Sequence, residues 1–212
     1  MKIFLTGGSS GIGKATQDLL VTQGYQVYAP SRQELDMTDF EKINSLDLSV
    51  YDVLINCAGD NRGAYQGWHN NSWQNQKNHV DVNFTAPLFL AKQYTQQRKT
   101  GQFIYVSSTS ADDPITYTIF MVGSKLALRQ SINAVKRDYP DFLFTEVVPG
   151  KTRTNMLRQN YQGTKTDQQI THEYAKNPVL DPNQVANAIL LSIKLGLDRV
   201  GISPRPDFQN NY

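Results

Sequence analysis

Short apolar runs alternate along this chain with longer amphipathic stretches. Ile3-Phe4-Leu5 leads into Gly7-Gly8-Ser9-Ser10-Gly11, and a helical pattern runs from about Gly11 to Gln23, where Gly24 stops it. Tyr25-Gln26-Val27-Tyr28-Ala29 predicts a second strand closed by Pro30, and further strands are predicted over 50–56, 102–107, 142–148 and about 199–203. Helical patterns fill 72–97, 119–138 and 182–194. Asn71 or Ser72 can cap the first, and Asp181-Pro182 supplies the last with a cap and a first-turn proline. Pro87 predicts a kink in the first of these helices, or its division in two. Strands alternating with helices imply an α/β fold: one Rossmann-type, doubly wound parallel sheet with helices on both faces. The polar stretch 155–180, rich in Gln, Thr and Asn, is the candidate substrate flap.

Composition narrows the classes. A chain of 212 residues, 39% apolar and 19% charged, has the size and balance of one globular domain. A net charge of +2 gives no reason to expect nucleic acid or an acidic membrane surface as partner. No run approaches the ~18 apolar residues of a membrane span, and Met1-Lys2 passes straight into the first strand, so a cytoplasmic protein is expected. The single cysteine, Cys57, stands among Leu54, Ile55 and Ala58 and reads as a small buried filler. His69, His79 and His172 have no metal-ligand spacing, so no metal is expected.

The chemistry begins at Thr6-Gly-Gly-Ser-Ser-Gly-Ile-Gly13, placed after the first strand and opening the first helix. Gly7 permits a tight turn, Gly11 lets backbone approach a pyrophosphate, and Gly13 lets helix and strand pack closely. The helix N-terminus presents free N–H groups and the positive dipole end to the phosphates. Glycines at 7, 11 and 13 resemble the TGxxxGxG pattern of the short-chain dehydrogenase/reductase family. So do Asn56-Cys-Ala-Gly59, Asn83, Val106-Ser-Ser108, Gly123-Ser-Lys125 and Pro149-Gly-Lys-Thr-Arg-Thr154, in family order. The resemblance covers essentially the whole chain and implies a nicotinamide dinucleotide at the carboxyl ends of the strands. Its contacts would be Gly7, Ser9, Ser10, Gly11, Ile12 and Gly13, then Asn56, Ala58 and Gly59, then Pro149, Gly150, Thr152 and Thr154.

In relatives that prefer NAD(H), an acidic residue ends the second strand; here that end reads Ala29-Pro30-Ser31-Arg32. A hydroxyl and a guanidinium suit a 2′-phosphate, which favours NADP(H) over NAD(H). Asp36-Met37-Thr38 resembles the family's adenine-side motif but comes early, with only Arg32 to Leu35 intervening. A sheet trimmed to about six strands is therefore expected, with one edge strand and its helix missing.

The family pairs an acidic Tyr with a Lys one helical turn later that lowers the Tyr pKa and holds the nicotinamide ribose, a Ser that polarises the substrate carbonyl, and an Asn in the preceding long helix that orders a relay water. Lys125, Ser108 and Asn83 fit the last three, Ser108 lying thirteen residues before position 121. Position 121 itself is Met121, whose thioether has no proton to give. Three readings stay open. Tyr117, eight residues before Lys125, could be the acid, as in a carbonyl reductase or in the enoyl-type C=C reductases of this superfamily, which pair a Tyr seven residues before the Lys with a Met four before it. Ser108, Lys125 and a water could instead carry slow carbonyl reduction. Or the chain binds dinucleotide without turnover, as a sensor or partner protein. The retained Ser108, Lys125 and Asn83 favour a reductase of small carbonyl or enone substrates, with Tyr117 as provisional acid. Trp68 and Trp73 could wall the pocket, His172 and Tyr174 could touch substrate from the flap, and Lys151 and Arg153 could attract an anion. The resemblance also implies a homodimer or homotetramer.

Overall fold

The computed structural model describes residues 1–64, 68–114, 118–159, 166–176 and 178–204. Six strands, β1 (Lys2–Thr6), β2 (Gln26–Tyr28), β3 (Val53–Asn56), β4 (Gly101–Val106), β5 (Phe142–Pro149) and β6 (Arg199–Ile202), form one sheet in the order β2-β1-β3-β4-β5-β6. Every pairing is parallel, with registers such as Ile3 opposite Val53 and Tyr105 opposite Glu146. β2 and β6 are the edge strands, and the sheet has the six strands expected of it. Because side chains alternate across a strand, the sheet feeds two cores. Phe4, Leu54, Phe103, Tyr105 and Phe144 face α2 (Phe40–Asn44), α4 (Ala86–Gln97) and α5 (Ile119–Asp138). Ile3, Leu5, Ile55, Ile104 and Val147 face α1 (Gly11–Thr22) and α8 (Pro182–Leu195).

Local chemistry sets the boundaries. α8 starts on a full capping box, with Asp181 and Gln184 each bonding the other's backbone, and ends at Gly196 in the left-handed region. β3 begins three residues later than expected. Asp47 accepts the Ser49 N–H and hydroxyl, and the Leu48 N–H is taken by Gln97, so the chain is still turning before Val53. The short α2, capped by Asp39 on the Lys42 N–H, was not expected. The long 72–97 pattern divides as Pro87 foretells: α3 (Trp73–Val80), a π turn over Asp81–Thr85, then α4 with Pro87 in its first turn. Pro87 has no N–H to return to the carbonyl four residues back, that of Asn83, so the α ladder is interrupted there. Within the expected flap, α6 (Asn155–Gln159) and α7 (Asp167–Lys176) are helical. No helix among the described residues is long and apolar enough to cross a membrane.

Candidate active site

A cleft of about 560 Å³ opens along the carboxyl ends of the strands, from the glycine loop at one end to α5 and α6 at the other. The glycine loop is shaped by close approach. Gly7 (φ 75°) and Gly11 (φ 53°) occupy the left-handed region, and a Cβ on Gly7 would lie 2.6 Å from the Ala58 nitrogen. A Cβ on Gly13 would stand 2.1 Å from the Gly7 oxygen, which is why helix and loop can touch only through glycine. Ser10 is the N-cap of α1, yet its side chain makes no cap bond, so the first-turn N–H groups face the cleft without it. Ser9, Ser10, Ile12, Ala58 and Gly59 line the same wall.

Asn56 does something other than the contact expected of it. It is wholly buried and does not line the cleft; its Oδ1 accepts the Thr6 hydroxyl at 2.7 Å, tying β3 to β1 beneath the loop. The exit of β5 reaches across to the loop, where Thr154 would touch a Cβ on Gly11 at 3.0 Å. Thr154 also accepts the Leu157 N–H and so starts α6, while Thr152 donates to the Gly150 carbonyl. Pro149, Gly150, Thr152 and Thr154 all line the cleft.

At the end of β2, Pro30, Arg32, Asp36 and Met37 line the cleft and Ser31 does not. Ser31 instead closes a turn with Glu34, its N–H donating to the carboxylate at 2.8 Å. The exposed Arg32 donates through Nε to Asp36 at 2.9 Å. Burial pushes the Asp36 carboxyl up, but bonds from Thr38 and Arg32 outweigh it and hold the group below its ordinary value.

The other end holds the catalytic candidates. Ser108 caps a 3₁₀ turn over Thr109–Ala111, its Oγ accepting the Ser110 N–H at 3.1 Å. Lys125 on α5 is buried and donates from Nζ to the Val106 carbonyl at 2.8 Å; desolvation pushes its ammonium down to about 8. The buried Asn83 side chain grips the backbone of residue 60 at both ends, accepting its N–H at 2.9 Å and donating to its carbonyl at 2.7 Å. Ser108, Lys125, Asn83 and Met121 line one cleft. Tyr117 lies outside the described residues.

Sequence reasoning missed the Asp60–Arg62 pair, although it follows directly on Asn56-Cys-Ala-Gly59. Arg62 grips the buried Asp60 carboxylate through Nε and Nη2, at 3.0 and 2.6 Å. Burial raises Asp60, but these bonds outweigh it and keep the group low. Met156, Leu157 and Asn155 of α6 also line the cleft, and a Cβ on Gly59 would lie 3.8 Å from both the Met156 methyl and Lys125 Nζ. Of the other candidates, Lys151 lines the cleft and Arg153 does not. Trp68 and Trp73 are exposed, and Trp68 borders a separate crevice beside His79. His172 is exposed on α7, which also carries Tyr174. Cys57 is partly exposed at the cleft wall rather than fully buried, with desolvation pushing its thiol up to about 12.

The model of the RmlD substrate binding domain family matches residues 1–113. An uncharacterized oxidoreductase of Staphylococcus haemolyticus is 24% identical over 221 residues, covering 89% of each chain. The glycine betaine reductase of Emericella nidulans is also 24% identical, over 96% of this chain, but the chain spans only 18% of that protein's length. Among solved structures, the ligand-free aldohexose dehydrogenase of Thermoplasma acidophilum superposes with a TM-score of 0.85 over 100% of this chain and 95% of its own, at 19% identity. A short-chain dehydrogenase of Burkholderia cenocepacia in complex with NADP gives 0.79 over 95% and 87%, at 20% identity. The chain belongs to the RmlD substrate binding domain family, and its fold is the Rossmann fold of the dehydrogenases it superposes on.

Proposed function

We propose that this chain is an NADP(H)-dependent reductase of small carbonyl or enone compounds with an atypical catalytic set. The observation that carries this reading is the continuity of the cleft. One wall runs from a glycine loop built for backbone contact to Lys125 and Ser108, with the Arg32 guanidinium at the β2 end.

The residues fit a dinucleotide phosphate in kind. Gly7 to Gly13 and the α1 N-terminus would hold the pyrophosphate through N–H groups, and Arg32 would meet the 2′-phosphate with charge-assisted bonds. Reduced nicotinamide supplies a hydride when bound. Lys125 holds a cation at the cleft wall, Ser108 offers a hydroxyl to a substrate oxygen, and Asn83 fixes the loop that carries Asp60. The solved structures bearing NADP or NADPH and the oxidoreductase relatives support the assignment. Asp36 already occupies the Arg32 Nε, which leaves the terminal guanidinium nitrogens for a phosphate.

The test is titration with NADPH and NADH, followed by turnover with a panel of ketones, aldehydes and enones read as loss of reduced-nicotinamide absorbance. Tighter NADPH binding with turnover is expected. Binding without turnover on any substrate would mark a dinucleotide-binding sensor or partner protein, the reading that Met121 favours.

A further inference from the structure

We propose that Lys125 is itself the proton donor of this site, delivering to the substrate oxygen the proton that a tyrosine one helical turn earlier delivers elsewhere in the family. The proposal rests on the reductase reading above.

Residues four apart on a helix lie one above the other, and Met121 and Lys125 accordingly both line the cleft. Met121 brings a thioether that can neither give nor take a proton. Lys125 Nζ has three N–H donors, one spent on the Val106 carbonyl. Among the described residues no carboxylate comes within ion-pair distance of it.

The groups that face it are already committed. Glu146 on β5 binds Arg129 Nε at 2.7 Å through one oxygen and Arg199 Nε at 3.0 Å through the other. Cys57, at the exit of β3, keeps its thiol proton because burial pushes it up to about 12. A buried ammonium without a counter-ion is poorly stabilised, so desolvation brings Lys125 down to about 8.

Three other charged groups among the described residues of the cleft are poorer acids than Lys125. Asp36 and Asp60 are held low by Thr38, Arg32 and Arg62, so at neutral pH they are ionised and have no proton to give. The Arg62 guanidinium is held up by Asp60. Lys125 is protonated at neutral pH and poised to let go.

Hydride delivery to the substrate carbon, the chemistry that bound reduced nicotinamide would supply, would leave the carbonyl π pair on oxygen as the base that Lys125 meets. An N–H bond of Lys125 breaks, an O–H bond forms on that oxygen, and the N–H pair stays on Nζ as a neutral amine. A proton taken up from solvent, as hydronium or from a buffer acid, then restores the ammonium.

Lysine-selective ¹³C,¹⁵N labelling follows Lys125 in the ligand-free protein against pH, with Lys125→Arg assigning its signal. An inflection near pH 8 is expected. One at the ordinary lysine value of about 10.4 overturns the proposal. Single-turnover NADPH oxidation should fall as pH rises through the same inflection, because the acid must be protonated. Turnover should drop at least ~100-fold in both Lys125→Arg and Lys125→Met, while NADPH affinity in Lys125→Arg drops far less. Turnover that survives both variants, or that disappears in Tyr117→Phe while Lys125→Arg retains it, overturns the proposal alone. Unaltered protein that binds no NADPH overturns the reductase reading and the proposal with it.

Discussion

At the β1 end of the cleft, backbone meets backbone: a Cβ on Gly13 would sit 2.1 Å from the Gly7 oxygen, and one on Gly7 would sit 2.6 Å from the Ala58 nitrogen. At the α5 end, side chains meet space: a Cβ on Gly123 would meet nothing within 4 Å among the described residues, and Met121 lines the cleft with a thioether that has no proton to give. Binding a diphosphate through N–H groups needs the main chain itself, and no side chain can substitute for an approach that only glycine permits. Donating one proton needs only some acid within reach. The first requirement fixes residue identity, and the second leaves it free to move.

The sharpest way to break this contrast is Gly13→Val. Its branched Cβ has to displace the loop, so NADPH titration should show no measurable binding and the thermal midpoint should fall, with overpacking typically costing about 1–3 kcal/mol. Near-normal affinity would mean that the loop has slack the distances deny. Next in size is Met121→Tyr. If the α5 end is permissive, a phenol beside Lys125 should raise turnover, by up to about 10²-fold where Lys125 is the weaker donor, the lower end of what a positioned general acid contributes. An unchanged rate would show that this position is not aimed at the substrate.

The same contrast explains what could be read from the sequence. The glycine loop was legible because each of its constraints is local and steric. The sheet was legible because Ile3, Phe4 and Leu5, and likewise Leu54 and Ile55, feed two cores on opposite faces. Pro87 told where the long helix would divide, not that a π turn would carry Asn83 onto the backbone of residue 60. β3 was read too long because Val50 and Tyr51 are apolar, while hydrogen bonds to Asp47 and Gln97 keep the chain turning there. Asp60–Arg62 and the placing of Met156 beside Gly59 are tertiary facts, set by where loops land, and spacing alone does not carry them. Asn56 was assigned to the cofactor by resemblance, but it supports the loop from below.

A smaller effect probes the β2 end, where the specification is intermediate. Arg32→Ala should weaken NADPH binding about tenfold, roughly the worth of one charge-assisted hydrogen bond, and leave NADH binding unchanged. Equal loss for both dinucleotides would mean that Arg32 serves the turn through Asp36 rather than a 2′-phosphate.

The smallest effect is the most discriminating, because it asks whether the α5 end is as open as it looks from one chain. Gly123 is exposed within α5, its φ is not positive, and a Cβ there has free space. Gly123→Ala should therefore stabilise the protein by about 0.5–1 kcal/mol through helix propensity and a less floppy unfolded chain, raising the thermal midpoint by about 1–4 °C. NADPH affinity should not change. If alanine instead destabilises, and does so more at high protein concentration than at low, then a second chain packs closely against α5. The missing side chain at Gly123 would then answer to an interface, and both ends of the cleft would carry glycines that nothing larger can replace.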